Sequence, residues 1–85
     1  MIKVLFFAAL RERLNTATVE LDSSTLPADA SAAAVLTQLK IRSADWQHEL
    51  SRQDLLCAIN QRLCPLHTKV SPGDELAFFP PVTGG

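Results

Sequence analysis

The chain closes on Pro80-Pro81-Val82-Thr83-Gly84-Gly85, and the chemistry this stretch offers is that of a presented chain end. From Leu76 to Gly85 no side chain carries a charge, so the terminal carboxylate is the one ionised group there. Pro80 and Pro81 each fix φ near about −65° and favour an extended, polyproline-like arm. Counted from Phe79 to Gly85, that arm reaches up to roughly 20 Å. Gly84 and Gly85 add no side chains, so such an end can thread a channel too narrow for any other residue. A nucleophile can then approach the last carbonyl from either side. Terminal glycines also fray without any role. The stiff proline pair argues for presentation, but from spacing alone both readings stand.

The other reactive residue types form no recognisable constellation. Cys57, Cys64 and His67 are spaced C-x6-C-x2-H, which is not a zinc spacing, and no fourth ligand stands nearby; no metal site is expected. Cys57 lies in an apolar run and reads as a small buried hydrophobe. Cys64, near a strand end, is expected to be more exposed, with no neighbour that would depress its pKa. His48 and His67 lack a Cys, Ser or carboxylate at motif spacing and read as surface residues. Asp45, Glu49 and Asp54 read as a solvated face rather than an acid–base pair. There is no glycine-rich phosphate loop. Nothing inside the domain resembles an active site.

The elements that must position the tail follow from a chain of 85 residues, enough for one small domain. Eight basic and nine acidic residues give a net charge of −1, with no basic stripe to neutralise a row of phosphates, so nucleic acid is excluded as a main partner. With 47% hydrophobic and only 20% charged residues, a chain this short is expected to leave apolar surface uncovered, which points to a protein partner. Two cysteines do not make a secreted disulfide framework. The apolar start runs straight into Arg11-Glu12-Arg13 with no cleavage region, and no run approaches the roughly 20 residues of a membrane span. A reduced, cytoplasmic protein without membrane contact is the expectation.

Residues 2–7 alternate as a strand, with Ile2, Val4 and Phe6 on one face and Lys3, Leu5 and Phe7 on the other. Both faces are largely apolar, as suits a central strand. Residues 8–14 have helical character, with Asn15 placed to stop the turn. Residues 16–21 return to a strand with Val19 and Leu21 inward. Asp29 or Ser31 can cap a helix over about 31–41, whose buried stripe is Ala32, Val35, Leu36 and Leu39. Residues 43–50 form a shorter helical segment in which Trp46 and Leu50 pack back. Residues 55–59 are an apolar strand, Asn60-Gln61 a tight turn and 62–64 the returning strand. Ser71-Pro72-Gly73-Asp74 is a turn that launches the last strand, 75–79. Pro80 and Pro81 cannot continue into a central strand, because neither donates a ladder hydrogen bond.

One main helix packed on one face of a mixed sheet, with the two terminal strands side by side at its centre, is an α+β, ubiquitin-like β-grasp arrangement. The expected organisation is a domain over 1–79 with an extended C-terminal tail over 80–85. If the helix covers the Phe6/Phe78 side, Phe7 and Phe79 form an aromatic patch on the opposite side, near the origin of the tail. Such a patch suits partner docking. A second small core beneath residues 8–14 is the other way to use it.

The sequence resembles the MoaD/ThiS sulfur-carrier family, on the side of the family that serves molybdopterin synthesis. The resemblance rests on Ile2-Lys3-Val4-Leu5-Phe6-Phe7-Ala8 with Leu10-Arg11-Glu12, and on Leu55-Leu56-Cys57-Ala58-Ile59-Asn60-Gln61. Above all it rests on Gly73-Asp74-Glu75-Leu76-Ala77-Phe78-Phe79 running into Pro80-Pro81-Val82-Thr83-Gly84-Gly85. Residues 23–53 match only in pattern. The resemblance implies that Gly85 is the covalent carrier. It is adenylated by an ATP-consuming, E1-like (MoeB-like) adenylyltransferase and converted by a sulfur-donor protein to a thiocarboxylate, the modified thioglycine. Its sulfur then passes to cyclic pyranopterin monophosphate (precursor Z) to build the dithiolene. The implied partner is a MoaE-like large catalytic subunit of molybdopterin synthase, in a heterotetramer.

On this view the chain counts as an enzyme only as the sulfur-donating subunit of a two-subunit sulfurtransferase, and it binds no cofactor itself. Gly84 gives clearance, Pro80, Pro81, Val82 and Thr83 set the reach, Phe7 and Phe79 anchor docking, and Arg11 adds a rim contact. The alternatives are a carrier for thiamine thiazole or another thiometabolite, a ubiquitin-like modifier that conjugates to lysines, and a plain interaction module with an inert tail.

Overall fold

The computed structural model describes residues 1–81 of the chain. Strand β1 (Ile2–Phe6) buries every second side chain: Ile2, Val4 and Phe6 are at most 1% exposed, whereas Lys3 is in solvent. Helix α1 (Ala8–Leu14) follows at once. It is entered through Ala8 at φ +56°, a left-handed conformation that L-residues other than Asn and Asp seldom adopt. It is stopped by Asn15 at φ +52° and ψ +37°, whose N–H reaches the Arg11 and Glu12 carbonyls. The chain then returns antiparallel to β1 as β2 (Thr18–Leu21), two residues shorter at its start than the β character of 16–21 suggests.

A 3-10 turn at Ser23–Thr25 is tied by Asp22, whose side chain accepts from the Ser24 N–H at 3.0 Å. Helix α2 (Ala32–Lys40) begins where Ser31 Oγ accepts from the Ala34 N–H at 3.2 Å, and its buried side chains are Ala32, Val35, Leu36 and Leu39. Helix α3 (Ala44–Leu50) is capped likewise by Ser43 on the Trp46 N–H at 3.1 Å. Both caps follow from a short hydroxyl side chain satisfying one of the orphan N–H groups of a first turn.

Strands β3 (Leu56–Ile59) and β4 (Arg62–Cys64) form a hairpin through Asn60 and Gln61, at φ +51° and +70°. Two successive positive φ values make the primed turn whose twist matches the flanking strands. Asn60 is held further: its Nδ2 donates to Asp74 Oδ1 at 3.0 Å, and its Oδ1 accepts from the Glu75 N–H at 3.0 Å. Gly73, at φ +90°, turns the chain into β5 (Glu75–Phe79).

The sheet order is β2-β1-β5-β3-β4, with β1 and β5 parallel and the other pairings antiparallel. This is the ubiquitin-like β-grasp arrangement expected from the sequence, with the terminal strands at the centre. One apolar cluster fills the covered face. It joins Val4, Phe6, Leu76 and Phe78 of the sheet to Leu10 and Leu14 of α1, Val35 and Leu39 of α2, and Leu50 of α3. The rings of Phe6 and Phe78 stack at 6.5 Å, and Trp46 meets Phe6 edge-on at 5.5 Å. Each fully buried side chain of this size contributes about 1.5–3 kcal/mol relative to leaving it in water. All three helices therefore share one face of the sheet.

Candidate functional surface beside the tail

Because all three helices pack into the same cluster, the opposite face of the sheet has no helix over it among the described residues. Its side chains can be read from the strand register. One row runs Leu5, Ala77, Ala58 and Leu63; the next, toward the end of β5, brings Phe79 opposite Leu56. Phe7, one residue past β1, joins that second row: its ring lies 6.5 Å from that of Phe79, with 64° between the planes. Phe7 is 46% exposed, Leu56 37% and Leu63 70%. Ala77, enclosed by these neighbours, is 9% exposed.

The other end of the same face is charged, since Lys3 is registered between Glu20 and Glu75. Apolar character on the open face thus increases toward the point where the tail begins. Pro80 is half-buried and Pro81 exposed, both past the last ladder residue. A cluster of large apolar side chains left in water beside Pro80 and Pro81 is the arrangement expected of a docking surface, where aromatic anchors supply most of the affinity.

Phe7 and Phe79 are brought together as expected. The alternative of a second core under residues 8–14 does not form, because Leu10 and Leu14 point into the main core. Arg11 is exposed on α1, one turn beyond Phe7, whose carbonyl accepts its N–H at 3.4 Å. Val82, Thr83, Gly84 and Gly85, assigned above to reach, clearance and sulfur carriage, lie outside the described residues.

Leu56 and Leu63 join this surface in addition to the residues expected from the sequence. The signal for them was present: with Cys57 and Cys64 directed to the core, strict alternation sends their neighbours outward. The continuous apolar run of 55–59 masks that period. Leu55, expected as the first strand residue, instead precedes β3 and is buried.

The remaining candidates stay apart from this surface. His48 and His67 are exposed. Arg52 holds Asp54 at 3.1 Å, and that hydrogen bond keeps the Asp54 carboxyl below its ordinary value. Glu49 pairs with Arg13 at 3.7 Å. These acids are therefore engaged with arginines and are not drawn together as an acid–base pair. Among the described residues there is no group of three or more His, Cys, Asp or Glu placed to hold a metal ion. No helix among them is long and apolar enough to cross a membrane.

Comparison with known proteins extends over the whole chain. The sequence profile of the ThiS family matches residues 4–85. The chain is 45% identical, over 85 residues and the full length of both proteins, to a Haemophilus influenzae protein named molybdopterin synthase sulfur carrier subunit. It is 43% identical over 86 residues, again covering both chains completely, to the Escherichia coli protein of that name. Its fold is similar to the crystal structure of the small archaeal modifier protein SAMP1 from Haloferax volcanii. There the TM-score is 0.76 and the identity 27%, covering 99% of this chain and 98% of that one.

Proposed function

The chain belongs to the ThiS family, and from that premise we propose that it is the sulfur-carrier small subunit of a molybdopterin synthase, bearing sulfur on the carboxyl group of Gly85. The observation that carries this reading is the family match, which spans residues 4–85 and so takes in both the domain and the tail. The relatives of 45% and 43% identity bear that name.

The chemistry assigns separate work to separate proteins. A carboxylate is a poor electrophile, because attack on it must expel an oxide. Adenylation by an ATP-dependent activating enzyme makes a mixed anhydride whose leaving group is AMP. A sulfur donor then displaces AMP, and the Gly85 carboxyl becomes a thiocarboxylate. Seated in a large catalytic subunit, that sulfur attacks the cyclic pyranopterin monophosphate and forms a carbon–sulfur bond to it. Water then cleaves the bond between the Gly85 carbonyl carbon and sulfur, leaving the sulfur on the pterin and Gly85 as a carboxylate. Two transfers supply the two sulfurs of the dithiolene.

The chain's own residues bind and present. Phe7, Phe79, Leu56 and Leu63 dock the open face, with Arg11 at the rim. Pro80 to Thr83 span the distance to the partner's site, and Gly84 leaves the last carbonyl accessible. Acids and bases are supplied by the partners, consistent with the pairing of Glu49 and Asp54 to arginines on this chain.

The similarity to an archaeal modifier protein favours one second reading, conjugation of Gly85 to lysines of other proteins. Incubation with the activating enzyme, ATP and a sulfur donor separates the two by intact mass. Replacement of one oxygen by sulfur adds about 16 Da, the outcome expected here, and the readout follows from acyl activation and covalent catalysis alone. Covalent adducts heavier by the mass of a whole acceptor protein, without the sulfur-bearing species, would establish the modifier instead.

A further inference from the structure

We propose that Cys57 and Cys64 are a redox-active pair, closing an intrachain disulfide across the β3–β4 hairpin when the protein meets a peroxide. The pair lies on the covered face of the sheet, apart from the docking surface, and the sulfur-carrier reading makes no use of it.

The two residues are direct register partners. Directly opposed residues of an antiparallel ladder have Cα atoms about 4.5–5.5 Å apart, inside the range of about 4.4–6.8 Å that a disulfide spans. The sulfurs already touch: Sγ to Sγ is 3.8 Å, and Cys57 Sγ lies 3.2 Å from the Cys64 carbonyl oxygen. A bond of about 2.05 Å is therefore within reach of side-chain rotation, without moving either strand. Nothing else competes for these thiols, since both cysteines are free and no metal-holding cluster includes them among the described residues.

The two differ in access, and this sets the order of events. Cys57 is 1% exposed, while Cys64 is half-buried at the edge strand. Burial first, and then the Cys64 sulfur beside it, push the Cys57 thiol up to about 12, so it stays protonated at neutral pH. Oxidation therefore begins at Cys64. Its thiolate attacks one oxygen of hydrogen peroxide, the O–O bond breaks, and a sulfenic acid and hydroxide result. The Cys57 sulfur then attacks the Cys64 sulfur: the S–S bond forms, the S–O bond breaks, and the departing hydroxide takes the Cys57 proton as water. In sum, two thiols and one peroxide give one disulfide and two waters, with two electrons passing from sulfur to oxygen.

Trypsin gives a direct readout, because Arg62 separates the two cysteines. Cleavage places Cys57 in the peptide 53–62 and Cys64 in 63–69. The folded wild-type chain is treated with hydrogen peroxide near neutral pH, alkylated and digested. The expected product is the linked pair 53–62/63–69, about 2 Da lighter than the sum of the two reduced peptides and separated again by dithiothreitol. In Cys57→Ser the same treatment is expected to leave oxygen adducts on 63–69, because no resolving thiol remains. The proposal is overturned if wild-type 63–69 carries oxygen adducts while 53–62 is recovered alkylated at Cys57. It is equally overturned if the oxidised chain is mainly an intermolecular dimer. Reading the cysteine peptides keeps oxidation of Met1 out of the measurement.

Discussion

Two phenylalanine doublets, Phe6-Phe7 in the first strand region and Phe78-Phe79 in the last, set the two faces of the sheet against each other. Phe6 and Phe78 are at most 1% exposed and stack on one another under the helices. Phe7 is 46% exposed and meets the half-buried Phe79 on the open side. The same side chain, moved one position along a pleated strand, passes from the packed core to the open face. What differs is the neighbour across the sheet face: three helices on one side and, among the described residues, none on the other. A free energy gained on folding is available to the inner pair, whereas the outer pair, among the described residues, retains apolar surface in water.

This contrast can be broken by substitution, and the inner face should show the larger effect. Phe78→Ala is expected to lower stability by about 3–5 kcal/mol in chemical denaturation, the usual cost of emptying a packed aromatic site. A loss below about 1 kcal/mol would mean that the central strands are not packed as described. Phe79→Ala should reverse the balance. Affinity for the large subunit is expected to fall by about 2 kcal/mol in titration calorimetry, with a smaller loss of folding stability. Unchanged affinity would remove Phe79 from the interface and leave the outer doublet without a function.

Most of this architecture was legible in the sequence because local rules agreed with the tertiary outcome. The alternation of Ile2, Val4 and Phe6, the stripe of Ala32, Val35, Leu36 and Leu39, and the turn chemistry of Asn60 and Gly73 each point to the fold that forms. Strand and helix ends were less legible. Thr16 accepts no role in β2; its Oγ1 instead bonds the Leu14 carbonyl at 3.0 Å, extending the helix stop. Ser31 and Ile41 flank α2 rather than belonging to it, the first as its hydroxyl cap.

The candidate surface was half visible. Phe7 and Phe79 announce themselves as aromatic residues at alternating positions, but Leu56 and Leu63 required knowing which face of the hairpin points inward. The pairing of Cys57 with Cys64 follows from the turn expected at Asn60-Gln61, which sets position 57 opposite position 64. A C-x6-C spacing acquires meaning only once a two-residue turn between them fixes the register.

The proposed function divides docking by the open face from sulfur carriage by the tail, and deletion of Gly84-Gly85 tests that division most directly. With the large subunit, binding is expected to persist near its wild-type strength while sulfur transfer to the pterin precursor disappears. Transfer at the wild-type rate by the shortened chain would contradict the assignment of sulfur to Gly85.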